Sequence, residues 1–278
     1  MNDTAARGLV DLHLHSTFSP DARVTMEQHC RTAAERGLRF VGFAEHVELE
    51  PSDKGYGYFN YPAYMDEIVR CRRLFAGRLQ ITAGVEVTWL PELEGEIRAT
   101  LAAMPDLDHV IGSVHMVDGG NLTDPREVGD FFTRGRAEEI YPRYFELLGG
   151  ASSSGLFDII GHFDVVKKFA VNEFGPLRFG EWAHLIEPAL EAAARAGVVL
   201  EINASGLRQY PNETYPTAET LDRFRQLGGA GVTLGSDGHV PRHGCWGLEE
   251  AAHVARAAGW RELTVFVARQ PRTLPLKW

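Results

Sequence analysis

Six of the eleven histidines in this chain stand in short polar stretches that directly follow apolar, β-branched runs. His13 and His15 form an HxH on the first run, with Asp21 six residues beyond. Glu45-His46 follows the second run, and Glu86 ends the third in GVEV. His115 ends GSVH, His162 and Asp164 lie in IGHFD, Asn203 closes LEIN with Arg208 beyond it, and Asp237 and His239 lie in GSDGH. Neutral imidazole nitrogen and anionic carboxylate oxygen together, with no cysteine among them, suit Zn, Mn or Fe with positions left open for water and substrate. The candidates outnumber what a single ion needs. Two or three divalent ions about 3.5–4 Å apart, sharing a bridging carboxylate, are the natural arrangement.

Each piece alone has a plainer explanation. An HxH on a strand puts both rings on one face simply because the side-chain period is two. A single histidine after a strand is usually a hydrogen-bonded structural residue, and Asp237 or Glu86 alone could serve a turn or a helix cap. The coincidence of all of them at strand ends, where packing asks for no histidine, carries the metal reading. The other histidines fit elsewhere. His29, His184 and His253 lie in helical stretches as surface or packing residues, His109 opens a strand at the opposite end, and His243 stays open in the last loop.

Something must bring these stretches to one place. Seven strands are expected at 9–14, 40–44, 79–87, 109–114, 157–161, 198–202 and 231–234. Helices are expected at 25–36, 62–75, 91–103, 137–148, 179–196, 217–227 and 248–258. Prolines at 62 and 91 sit where a first helical turn tolerates them, and glycines at 37, 77, 149, 197 and 228 follow helical runs. Nearly continuous apolar strands alternating with helices imply a parallel α/β fold. An open doubly wound sheet often carries a glycine-rich loop after its first strand, and DLHLHSTFSPD is not one. A closed barrel gathers the C-terminal strand ends on one face, so a single distorted (β/α)7 barrel spanning 1–278 is expected, with the metal site there.

Composition narrows the function further. With 44% hydrophobic and 24% charged residues the chain is an ordinary globular one. A net charge of −10 argues against a phosphate-tracking surface for nucleic acid. No apolar run approaches the roughly 20 residues of a membrane span. Residues 1–7 show no secretory leader, and neither end carries a lipidation motif. Cys30, Cys71 and Cys245 are odd in number and scattered without a CxxC, as in a cytoplasmic protein.

In order and spacing, the HxH, EH, GVE, SVH, GHFD and SDGH pieces resemble the metal motifs of the polymerase and histidinol phosphatase (PHP) superfamily, from Asp11 to about Trp246. GHFDVVKKF, IGSVHMVDG and LEINASGLRQ are similar to its histidinol-phosphatase branch. The resemblance implies a (β/α)7 barrel with a trinuclear centre. His13, His15 and Asp237 would hold one metal, and Glu86 would bridge to a second held by His115 and His162. Asp21, His46 and His239 would hold a third, with Asp21 standing where the superfamily often has histidine. The implied activity is a metal-dependent phosphomonoesterase acting on L-histidinol phosphate in histidine biosynthesis. The rival readings are a phosphatase for another small phosphate ester, a phosphodiesterase or nuclease, and a non-catalytic metal-binding barrel.

Divalent ions would neutralise phosphate oxygens and acidify water near neutral pH. Arg208 is the first candidate for a bidentate phosphate clamp, with Arg242 in VPRHG the weaker one. Lys167 and Lys168 are adjacent and so could point apart, and either could be solvated. Glu45 and Asp164 could orient neighbouring ligands, and Asp164 could instead protonate the leaving group. Glu86 and Asp237 complete the candidate catalytic set. The amine and imidazole of such a substrate would want carboxylates or carbonyls from the long loops at 47–61 and 164–180.

Overall fold

In the computed structural model, which describes residues 9–126 and 128–276, strand and helix alternate almost throughout. β1 (Val10–Leu14) precedes α1 (Met26–Glu35), and β2 (Phe40–Val47) precedes α2 (Tyr61–Leu74). β3 (Gln80–Thr88) leads through a 3₁₀ turn (Pro91–Leu93) into α3 (Glu94–Ala102). After β4 (His109–Ser113) come a small hairpin of β5 (Met116–Val117) and β6 (Gly120–Asn121), then α4 (Phe131–Arg134) and α5 (Ala137–Ser153). β7 (Ile159–Ile160) precedes α6 (Lys167–Phe174) and α7 (Phe179–Ala196). β8 (Val199–Asn203) runs into a 3₁₀ turn (Ala204–Arg208) and then α8 (Ala218–Gln226). β9 (Val232–Gly235) precedes α9 (Leu248–Ala257), and β10 (Glu262–Val267) pairs antiparallel with β11 (Gln270–Pro275). The reading of residues 1–7 as leaderless lies outside the described residues.

Seven parallel strands form one sheet in the order β1-β2-β3-β4-β7-β8-β9. Its two edges meet: Leu14 bridges Gly238, the Asp237 amide donates to the His13 carbonyl at 2.8 Å, and the His15 amide donates to the Gly238 carbonyl at 3.2 Å. The sheet is thereby a distorted (β/α)7 barrel, as expected. β1, β2 and β3 are buried on both faces almost end to end, which explains their unbroken apolar runs. Helix starts follow from local chemistry. Thr25 and Gln28 form a reciprocal capping box on α1, and the Asn60 side chain accepts the Ala63 amide at the start of α2. No described helix is long and apolar enough to cross a membrane.

Several elements differ from expectation. β2 continues to Val47, so Glu45 and His46 belong to the strand rather than to the loop after it. Much of the supposed loop at 164–180 is helical, because α6 runs from Lys167 to Phe174 before Gly175 stops it at φ +77°. The C-terminal hairpin turns through Ala268 and Arg269, both at positive φ. Neither is the Asn or Gly that marks such a turn, so the sequence carries no hairpin signal there. Asp108 secures that turn, accepting the Ala268 amide at 2.8 Å, and Arg269 pairs with Asp158. These contacts sit beside the starts of β4 and β7, so the hairpin braces the end of the barrel opposite the histidines.

His109 fills the barrel interior rather than a surface. It is fully buried and its Nε2 lies 3.1 Å from the Leu12 carbonyl. Its ring occupies the space that a side chain at Gly42 or Gly84 would need: a Cβ at Gly84 would stand 2.3 Å from it. Tyr64 ties α2 to the same strand, its hydroxyl donating to the Gly84 carbonyl at 2.8 Å.

Candidate metal centre

The ends of the strands do converge. Glu86, buried at the end of β3, has histidines on both of its oxygens. Oε2 lies 3.2 Å from His13 Nε2, 3.3 Å from His46 Nδ1 and 3.5 Å from His15 Nε2. Oε1 lies 2.8 Å from His162 Nε2 and 3.3 Å from His115 Nε2, and accepts the Ser113 hydroxyl at 2.5 Å. A carboxylate facing two imidazole sets is the geometry a bridging ligand needs. The His15 ring centroid lies 4.3 Å from that of His46 and 4.1 Å from that of His239, which are 5.8 Å from each other. Asp237 Oδ1 lies 3.3 Å from His239 Nδ1 and 3.7 Å from His15 Nε2. Asp21, half exposed, lies 3.2 Å from His239 Nε2 and 3.7 Å from His46 Nε2. All nine expected ligands therefore belong to one cluster.

The donor set fits divalent ions. Among the described residues, four groups of ligand atoms lie close enough to hold one: His15, His46 and His239; His13, His15 and Glu86; Glu86, His115 and His162; and His46, Glu48 and His115. His13 Nε2, His15 Nε2 and His46 Nδ1 are buried without a formed hydrogen bond, although buried polar atoms are otherwise almost always paired. Burial would raise Glu86 and Asp237, yet the surrounding histidines, His13 foremost, hold both well below the usual carboxylate range. His15 goes the other way: burial lowers it well below its ordinary value, and His239 and His46 add to that. Burial also opposes charge on His115, but Glu86 and Glu48 outweigh it and push it up to about 9. Such a balance suits a pocket built around positive charge.

A layer of buried groups orients these rings. Glu201 Oε1 sits 2.7 Å from His13 Nδ1, and its Oε2 accepts the His162 amide at 2.8 Å and the Asn203 side chain at 3.1 Å. Gly235 is glycine because a Cβ there would meet Glu201 at 1.9 Å. Thr88 holds His115 Nδ1 at 2.8 Å. Glu45 accepts the Ser16 amide and the hydroxyls of Ser16 and Ser19, and Ser19 in turn lies 3.3 Å from His15 Nδ1. Asp11 accepts the Ser236 amide at 2.9 Å and hydroxyl at 2.5 Å, and burial lifts its carboxyl to about 6. His29 reaches across from α1, its Nε2 lying 3.1 Å from the His15 carbonyl and 3.2 Å from the Gly238 carbonyl. Two candidate ligands carry unusual backbone: Asp237 lies at φ +54° and His162 at φ +22°, conformations that non-glycine residues seldom adopt.

Above the cluster lies a cavity of about 830 Å³. Arg208, Arg242, Lys168, Glu48, Asp53 and Asp124 share its wall with the histidines. Arg208 spends two N–H groups on the carbonyls of Ser236 and Asp237, at 2.9 and 2.8 Å, and its guanidinium lies 5.7 Å from the Trp246 ring centroid. Arg242 is exposed at the rim, its Nε 3.2 Å from His243 Nε2. Lys168 faces the cavity and donates to the Thr123 carbonyl at 2.8 Å, and burial lowers its pKa. Asp164 does not line the cavity. It is buried behind it, its Oδ2 2.8 Å from Lys167 Nζ. Glu48, Glu201, Thr88 and Asp11 are neighbours of the cluster that the strand-end pattern did not single out.

Comparison with known proteins agrees with this picture. The PHP domain family matches residues 11–205. A probable histidinol-phosphatase of Deinococcus radiodurans is 32% identical over 263 residues, covering 92% of this chain and 96% of the relative. The histidinol-phosphatase of Lactococcus lactis is 28% identical over 92% of this chain and 94% of its own. A crystal structure of that organism's histidinol phosphate phosphatase, complexed with zinc, L-histidinol and phosphate, superposes with a TM-score of 0.85 at 26% identity, covering 95% of this chain and 98% of the other.

Proposed function

This chain belongs to the PHP domain family, and we infer from that premise that it is a metal-dependent phosphomonoesterase, a histidinol-phosphatase releasing L-histidinol and phosphate from L-histidinol phosphate. The observation that carries the chemistry is Glu86, set between two groups of histidines on the floor of a cavity whose wall holds Arg208 and Lys168. Zinc is the first choice of metal, since the Lactococcus lactis phosphatase structure contains it.

His13, His15 and Asp237 would hold one ion, Glu86, His115 and His162 a second, and His46, His239 and Asp21 a third. Glu48 lies 3.5 Å from His46 Nδ1 and 3.9 Å from His115 Nδ1, and so sits between the second and third groups. Bound divalent ions supply charge neutralisation of the phosphate and a water acidified toward neutral pH. The chain supplies the remainder. Arg208 keeps N–H groups beyond the two it has committed, and these turn a phosphate oxygen toward the floor. Lys168 and Arg242 add positive charge on the same wall. Glu201 holds His13, Thr88 holds His115, and Glu45 acts on His15 through Ser19, so the rings are fixed before substrate arrives. Asp164, turned away from the cavity, steadies the turn after His162 and does not reach a leaving group.

The remainder of the cavity fits a cationic organic moiety. The 47–61 stretch brings Glu48, Asp53 and Lys54 to the wall, the carboxylates being what the substrate's amine and imidazole require, whereas 164–180 contributes Val165 and Lys168. We place the enzyme in the cytoplasm, because its cysteines are buried, unpaired and odd in number.

The test is phosphate release from L-histidinol phosphate beside a panel of other phosphomonoesters and one phosphodiester, with and without chelator. Rapid release from histidinol phosphate that chelator abolishes and zinc restores is the expected result. Faster release from another ester would keep the metal chemistry and overturn the substrate. Chelator-resistant release would overturn the metal chemistry.

A further inference from the structure

Lys167 is fully buried, yet it touches neither the cavity nor any candidate ligand. Its ammonium lies 2.8 Å from Asp164 Oδ2, 2.8 Å from Glu213 Oε1 and 3.0 Å from the Thr214 carbonyl, and 5.3 Å from the Tyr215 ring centroid. A lysine ammonium has three donors, and here three oxygens take them. Burying a charge so completely is costly unless something is gained by the pairing.

The partners show what is tied together. Asp164 stands on the turn that carries His162, whereas Glu213, Thr214 and Tyr215 belong to the loop that follows Arg208. That loop folds back on itself closely. Asn203 and Tyr215 exchange backbone hydrogen bonds at 2.8 and 3.0 Å, and a Cβ at Gly206 would stand 2.1 Å from the Glu213 carbonyl. The Tyr215 hydroxyl then donates to Gln209 Oε1 at 2.7 Å. Ser205, Arg208 and Gln209, the residues this segment presents to the cavity, therefore rest on a platform whose far side is fastened by Lys167. Adjacent lysines divide the work, Lys168 facing the substrate and Lys167 facing away.

We propose that Lys167 is a positioning residue: by joining Asp164 to Glu213 and Thr214 it fixes the 203–215 segment, and so the wall that receives the substrate's phosphate. The inference rests on the phosphatase reading for its kinetic readout, but not for its binding readout.

The experiment uses the full-length, zinc-loaded protein and the variants Lys167→Met, Glu213→Gln and Tyr215→Phe. For each, kcat and KM for L-histidinol phosphate, calorimetric Kd for inorganic phosphate, and zinc content are measured. Lys167→Met is expected to raise KM and the phosphate Kd about tenfold, and the other two about threefold, with kcat within about twofold and zinc content unchanged. A merely structural role would leave KM and the phosphate Kd unmoved in every variant that folds, and that overturns the proposal. Parallel loss of zinc and kcat overturns it too. If Lys167→Met does not fold, Glu213→Gln and Tyr215→Phe decide, since one changes a partly exposed side chain and the other removes a single hydroxyl. If the wild type binds phosphate but leaves histidinol phosphate intact, the functional reading fails, and the phosphate Kd values alone judge Lys167.

Discussion

Replacing Glu201 by glutamine should weaken the metal centre although Glu201 is not itself a candidate ligand. Its two oxygens meet three donors: His13 Nδ1 at 2.7 Å, the His162 amide at 2.8 Å and the Asn203 amide group at 3.1 Å. A carboxylate accepts on both sides, whereas an amide has one oxygen and one nitrogen. Whichever way the introduced side-chain amide turned, its NH₂ would face a donor. If it faced His13, the ring would move its proton to Nε2, the nitrogen directed at Glu86, and lose the lone pair a metal needs. If it faced His162, the turn carrying that ligand would lose its anchor. A hydrogen bond to a charged group contributes about 1.5–3 kcal/mol, so zinc affinity should fall roughly 10- to 100-fold. Competition against a chromophoric chelator measures the affinity, and kcat at saturating zinc shows whether the loss is in binding alone. Wild-type zinc affinity and kcat in Glu201→Gln would refute the claim that this carboxylate sets the tautomer of His13 and the position of His162.

Other outcomes follow from the same geometry. Arg208→Ala should raise KM and the phosphate Kd about 100-fold with a smaller change in kcat, by steady-state kinetics and calorimetry, since the lost contacts are charge-assisted. Asp237→Asn should lower turnover by more than the roughly 100-fold expected for losing a group that merely orients a ligand, with circular dichroism confirming the fold. Gly84→Ala should lower the melting temperature by about 5 °C, because its Cβ would press on a His109 ring with no room to yield. His109→Ala in the same chain should recover part of that loss.

The candidate ligands were legible as a cluster because they end apolar runs, and a parallel barrel gathers such ends in one place. The residues that orient them were harder to see, since Glu201 and Asp11 lie inside strands that otherwise read as plain core. A signal was nevertheless present: a carboxylate within VVLEIN or LVDLHL must find partners when buried. Glu48 follows His46 at the strand's period of two, and so shares its side of β2. The small hairpin after β4 was also written in the chain, as Asp118-Gly119 at its turn, both at positive φ. The Ala268-Arg269 turn was not, because tertiary contacts to Asp108 and Asp158 hold a conformation that those residue types do not favour. Lys167 and Lys168 could not be assigned before the start of α6 was known, since only that geometry sends one inward and the other to the cavity.

The seam between β1 and β9 closes the barrel with one bridge and a few hydrogen bonds, fewer than the ladder between β2 and β3. Like the two-residue ladders on either side of β7, it is a place where the barrel can open locally. Candidate ligands stand on both sides of it, His13 and His15 on one strand and Asp237 and His239 after the other. An ion shared across that gap must be released whenever the gap widens, so local breathing and metal release are one event. Zinc at about 100 times its Kd would raise the free energy of that opening by about 2.7 kcal/mol. Amide hydrogen exchange at His15 and Asp237 should accordingly slow about 100-fold on zinc addition, while exchange in the ladder between β2 and β3 stays as it was. In this barrel the catalytic ions would double as the fastener of its last joint.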